Sequence, residues 1–163
     1  MVNNITIEGT RLIFRNFAGN PDNYNKTGGL RTTGVLIPNE EAEALKAEGW
    51  NIKYLKPRDD QDEPQAFLTV KCKFGKIQPN IFICTERGTT RLDEETVQSI
   101  DYAEIRDVDI IIRPYEYEPG NISAYIKTLY VNIIEDEFAA KYAKKYDLNE
   151  EDWYLWSNYM SIK

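Results

Sequence analysis

Histidine is absent from the 163-residue chain. That removes the commonest general base, the commonest zinc ligand and every Ser-His or Cys-His nucleophile pair. No GxxxxGK[ST] or GxGxxG run occurs, so the usual phosphate-loop and dinucleotide fingerprints are missing. No apolar run approaches the roughly 20 residues of a membrane-spanning helix, and no membrane partner is expected. The opening MVNNITIEGT has no cationic segment followed by an apolar stretch, so no secretory leader is expected. Cysteine is scarce. Cys72 and Cys84 both stand in apolar surroundings and read as reduced, buried thiols. RDDQDEP and LDEET lack the spacing of a calcium loop and read as solvated loop charge. No cofactor is expected.

What is present is a globular composition, 42% hydrophobic, long enough for one domain with a core. The net charge is −7 and unevenly spread: residues 11–91 sum to +3, residues 92–163 to −9. An acidic total therefore leaves room for a local polyanion-binding surface.

Alternation of apolar and polar residues predicts strands in most of the chain. NITIEGTRLIFRNF reads as one strand, or a bent pair broken near Gly9. It puts Leu12 and Phe14 on one face and Arg11, Ile13, Arg15 and Phe17 on the other. Residues 18–29 read as a loop and LRTTGVLI as the hairpin return. NEEAEALKAEG predicts a helix with Asn39 as N-cap and Gly49 as its stop. WNIKYLKP follows as a strand. AFLTVKCKF is the cleanest strand, with Leu68, Val70, Cys72 and Phe74 inward and Phe67, Thr69, Lys71 and Lys73 outward. GKIQPN reads as a turn, IFICT as its return, ERGTTR as a turn and LDEETVQSI as a short helix capped by Asp93. A strand over 105–117 and the hairpin RPYEYEPGNISAYIKTLYVNI complete the sheet, with Pro114 pointing to an edge or bulge. EDEFAAKYAKKYDL carries a helical stripe of Phe138, Tyr142 and Tyr146. Seven or eight strands with two or three helices suit a barrel or a sandwich. The acidic-aromatic end, residues 147–163, reads either as a packed helix or as a mobile tail.

The outward faces carry the chemistry. Alternate residues share a face, which gathers Phe67, Lys71 and Lys73; Arg11, Arg15 and Phe17; and Arg113, Tyr115, Tyr117, Tyr125 and Lys127. Loops add Tyr24, Lys26, Arg31, Lys56, Arg58, Arg87 and Arg91. Cations interleaved with rings suit a single-stranded nucleic acid, whose phosphates pair with Lys and Arg while its bases stack on flat rings. The same residues also fit a plain solvated sheet face, where Tyr packs on its cross-strand neighbours. Asp107 and Asp109 share a strand face, and an ion pair with Arg113 is the favoured reading over a bound metal.

Three segments, NITIEGTRLIFRNFAG, GWNIKYLKPRDDQDEP and DYAEIRDVDIIIRPYEYEPGNISAYIKTLYVNIIEDEFAAKY, resemble single-stranded DNA-binding proteins of tailed phages of Gram-positive bacteria. The likeness covers residues 4–143. It implies a mainly β fold with a few helices: a single OB-fold-like Greek-key barrel over residues 1–146 with helical insertions, then an acidic C-terminal segment, packed helix or tail, over 147–163. It implies a non-enzymatic protein that coats single-stranded DNA in phage replication and recombination, in the cytoplasm of the infected host. Implied partners are DNA and replication or recombination proteins met through the acidic segment, with a homodimer as a further option. Such tails usually close an acidic run with an apolar residue, whereas this chain ends NYMSIK. The alternative is a protein-interaction module that mimics DNA and inhibits a host nuclease or defence protein, supported by the acidic second half.

Overall fold

The computed structural model describes residues 2–21, 28–57 and 63–134. Tyr24, Lys26, Arg58, the Phe138 stripe and the acidic-aromatic end lie outside the described residues. Nine strands make one sheet: β1 (Ile5–Thr10), β2 (Leu12–Asn16), β3 (Thr32–Leu36), β4 (Ile52–Leu55), β5 (Gln65–Lys71), β6 (Asn80–Thr85), β7 (Gly88–Leu92), β8 (Ile105–Glu118) and β9 (Asn121–Ile133). The helix α1 (Asn39–Glu48) and a 3-10 helix (Val97–Tyr102) complete the described elements. The expected mainly β fold with few helices is what forms. The strand order is β1-β8-β9-β5-β3-β2, with β4 on β5 and β6 joining β9 to β7. Among the described residues β1 and β2, the two ends of this path, share no ladder, so the sheet is not closed there.

The β8–β9 hairpin is the spine. Val108, Ile110 and Ile112 point into the core from β8. On β9 the buried set is Ile122, Ala124 and Ile126, then Leu129 and Val131. That change of parity marks a bulge: Ile111 faces Thr128 but Ile112 faces Ile126, leaving Lys127 as the extra residue. A bulge bends a strand and re-aims its side chains. Here it falls where β9 changes partner, from β5 at Tyr125 to β6 at Thr128.

Two further bulges reshape the opening strands. In β1, Glu8 and Gly9 together oppose Asp109, and Gly9 takes φ +65. In β2, Phe14 and Arg15 together oppose Thr33. The second bulge inverts the faces expected from alternation. Phe17 is fully buried, and Phe14 is 68% exposed.

Other expectations also change. β6 does not return along β5; it runs parallel to β9, and ERGTTR supplies β7. Asn39 does not cap α1. Its side chain accepts from Ala66 N and donates to Pro64 O, while Pro38 occupies the cap position. Gly49 ends α1 as expected, in the left-handed region. Asp93 accepts from Glu95 N, Thr96 N and Thr96 Oγ1, closing the turn that precedes the 3-10 helix. Those bonds hold its carboxyl below the ordinary range. Pro114 lies beyond the last β1–β8 pair, Ile5 with Ile112, so the N–H it lacks would have had no ladder partner on that side.

Candidate nucleic-acid interface

Tyr125 is the centre of the outward face. Arg113 stands directly opposite it on β8, and Lys71 is its partner on β5. The Arg113 guanidinium lies 5.2 Å from the centre of the Tyr125 ring and Lys71 Nζ 5.7 Å from it. Tyr115 meets the same ring edge-on at 6.3 Å. Contacts of this kind contribute about 0.5–1 kcal/mol each at exposed positions, enough to orient side chains but not to bury them. Tyr115 and Tyr117 stay 55% and 57% exposed. Beside Tyr125 a cleft of about 90 Å³ is lined by Lys73, Arg113, Lys127, Gln78 and Asn80, among others. Among the described residues no carboxylate comes within 4.0 Å of Lys71, Lys73, Arg113 or Lys127. Cations with no carboxylate among the described residues beside them, set among exposed rings, can receive phosphates and bases together.

The sheet sorts the remaining sequence candidates. Phe67 is 8% exposed, on the same face as Thr69 and Lys71, and its ring meets Phe14 at 5.8 Å. Phe17 is corrected out of the site, because the β2 bulge turns it into the core. Arg15 is also committed elsewhere: its Nη1 donates to the carbonyls of Ile100 and Ala103, tying β2 to the 3-10 helix. Arg31 donates to the Phe17 carbonyl and lies over the Phe74 ring. Arg91 reaches Asn80 Oδ1 at 2.9 Å and covers the Phe82 ring. Arg87 sits on the exposed β6–β7 hairpin, Lys56 follows β4, and Arg11 stands exposed between β1 and β2. Asp107 and Asp109 do not pair with Arg113. Asp107 accepts from Asn132 at 2.6 Å and lies beside Arg106, while Asp109 accepts from Gly9 N at 2.8 Å.

Alternation missed Phe14, and also Phe82 and Tyr130, whose rings stack at 4.9 Å on the outward faces of β6 and β9. The signal for Tyr130 was present in the sequence as the parity change on β9.

The sequence matches, over residues 1–155, the model of the family described as "Putative phage ssDNA-binding domain". The chain belongs to this family. Among solved structures, this phage ssDNA-binding domain is similar to the C-terminally truncated single-stranded DNA-binding protein of bacteriophage Enc34. That likeness has a TM-score of 0.48 and 16% identity, over 82% of this chain and 87% of that one. The Enc34 protein in complex with ssDNA gives 0.48 and 15%, over 83% and 89%. The single-stranded DNA-binding protein encoded by bacteriophage T7 gives 0.36 and 16%, over 85% and 96%. No curated protein matches the sequence.

Within the domain, α1 fixes the tip of the β8–β9 hairpin. Ile122 N donates to Gly49 O at 3.2 Å. A Cβ on Gly49 would stand 2.8 Å from Gly120 O. The hairpin bearing Tyr115 and Tyr125 is therefore seated on the helix end through a contact that needs glycine.

Proposed function

We propose that this domain binds single-stranded DNA independently of sequence, on the outward face centred on Tyr125. The observation that carries the reading is the Tyr125 ring held between Arg113 and Lys71, with Lys73 and Lys127 beside it and no described carboxylate paired with any of the four. Bases would stack on Tyr115, Tyr125 and Tyr117, and phosphates would follow the cations. Stacking on rings and charge on the phosphates would carry most of the affinity of such a face, and both are tolerant of sequence. Family membership supports the same reading. It extends to a non-enzymatic role coating displaced DNA during phage replication and recombination in the infected host. Recruitment of replication or recombination proteins through residues 147–163, and a homodimer, belong to that proposal.

The test is anisotropy of labelled oligo-dT of roughly 15 nucleotides, chosen to cover the footprint of one such module, at low and then moderate salt. Saturable binding that weakens steeply with salt is the expected result, since phosphate contacts release counter-ions. Lys71→Ala should lower the salt slope by about 0.7. No binding at low salt sinks the proposal and favours the DNA-mimic alternative.

A further inference from the structure

We infer that Phe14 is a base-stacking residue, forming a second subsite for an unpaired nucleobase on the β2–β3–β5 side of the sheet. The inference rests on the single-strand reading above and adds a position that alternation had assigned to the core.

Phe14 adopts φ +48, and among the described residues no other non-glycine has a positive φ. A bulky aromatic in that region is uncommon, because its Cβ crowds the backbone. The neighbouring bulge in β1 shows the ordinary solution: its left-handed position is filled by Gly9, at φ +65. Backbone strain of this kind persists where surrounding structure enforces it, and it clusters at functional positions. At β2 the strained backbone turns a phenylalanine ring into solvent, where it is 68% exposed.

The ring is also held in place. It meets Phe67 at 5.8 Å with 66° between the planes. An edge-to-face pair fixes tilt and leaves ring surface free for a further partner. Phe67, Thr69 and Lys71 lie on one face of β5, and Lys71 reaches the Tyr125 ring. Phe14 thus heads a line of side chains that ends at Arg113, Tyr115 and Tyr125. The β5 part of that line runs from Phe67 to Lys71, four residue steps and roughly 13 Å. Packing alone accounts poorly for the residue, since Gly or Asn would take this backbone at less cost.

The test uses the full chain, labelled oligo-dT and three variants. F14L keeps an apolar side chain beside Phe67 but removes the ring. It should bind roughly tenfold more weakly, the loss of one stacked base. F14G should show the same loss and melt no lower than wild type, because glycine relieves the left-handed backbone. F14W should retain affinity and show additional emission that oligo-dT quenches. F14L or F14G binding like wild type overturns the inference and leaves the Tyr125 reading intact. Should F14L or F14G unfold, F14W decides alone, and no quenching at saturating oligo-dT overturns it. A wild-type chain that fails to bind oligo-dT sinks the underlying reading and this inference with it.

Discussion

β5 and β2 lie in one sheet, each paired with β3, yet their sequences translate into structure by different rules. β5 is regular. Ala66, Leu68 and Val70 are buried, and the alternate set Phe67, Thr69 and Lys71 forms the opposite face that meets Phe14 and Tyr125. β2 is also a strand, but one extra residue in its ladder sends Phe17 inward and Phe14 outward. Because the side-chain period is two, a single inserted residue exchanges the faces of everything beyond it. Hydrophobic pattern therefore reports a face only as far as the ladder stays in register.

The contrast is most sharply tested by truncating both β2 phenylalanines. Phe17→Ala removes a fully buried ring and should cost about 3–5 kcal/mol of unfolding free energy. Phe14→Ala should change it by less than about 1 kcal/mol, as exposed sites do. Urea denaturation measures both. The reverse ranking, with Phe14→Ala the costlier change, would mean that β2 keeps the alternating faces its sequence suggests, and the bulge would be wrong.

On the regular side, the largest effect is expected in binding rather than in stability. Tyr125→Ala should weaken oligo-dT binding by about 1–3 kcal/mol, the value of a stacked base, while the melting temperature changes little because the ring is half-exposed. Unchanged affinity would remove the centre of the proposed face. Gly49→Ala acts on the same hairpin from behind. At φ +112, with a carbonyl 2.8 Å from the added Cβ, it should cost about 1–3 kcal/mol of stability. It should also weaken binding, because the hairpin tip must move.

How much of this was legible follows from where each signal resides. The mainly β class, the β5 faces, the β8–β9 hairpin and the Gly49 stop are written in local periodicity and in glycine. The bulge at Lys127 was legible too: the apolar set shifts from Ile122, Ala124 and Ile126 to Leu129, Val131 and Ile133, and only a bulge keeps both on one side. The β2 bulge leaves no such mark, since Leu12, Phe14 and Phe17 fit either face. β7 has no apolar alternation because, at the sheet edge, its first four residues are all exposed. The parallel pairing of β6 with β9 joins residues about 48 positions apart, and nothing local encodes it. Among the site residues, Arg15 shows the limit of charge patterning. A cation on an exposed-looking position was drawn to the carbonyls of Ile100 and Ala103 at the end of the 3-10 helix, where it serves stability.

A last contrast concerns the two thiols, and it shows whether the β5 pattern persists past the end of its ladder. Cys72 follows Lys71 and continues the inward parity of Leu68 and Val70. It is buried, with its N–H bonded to Arg31 O at 2.9 Å, whereas Cys84 is half-buried on β6. Burial pushes the Cys72 thiol up to about 12 from 9.0, with the nearby Arg31 charge offsetting part of the rise. Only the thiolate is nucleophilic, so a maleimide at pH 8 should label Cys84 and reach Cys72 only on unfolding. The linkage has a definite sign. The unfolded thiol ionises near 9.0 and the folded one near 12, so the native state holds the extra proton between them. The resulting stability is intact below pH 9 and is lost progressively as the pH rises toward 12. Cys72→Ser, which does not titrate in this range, should flatten that alkaline decline. Equal labelling of both cysteines in the native protein would place Cys72 outside the core and end the β5 pattern at Lys71.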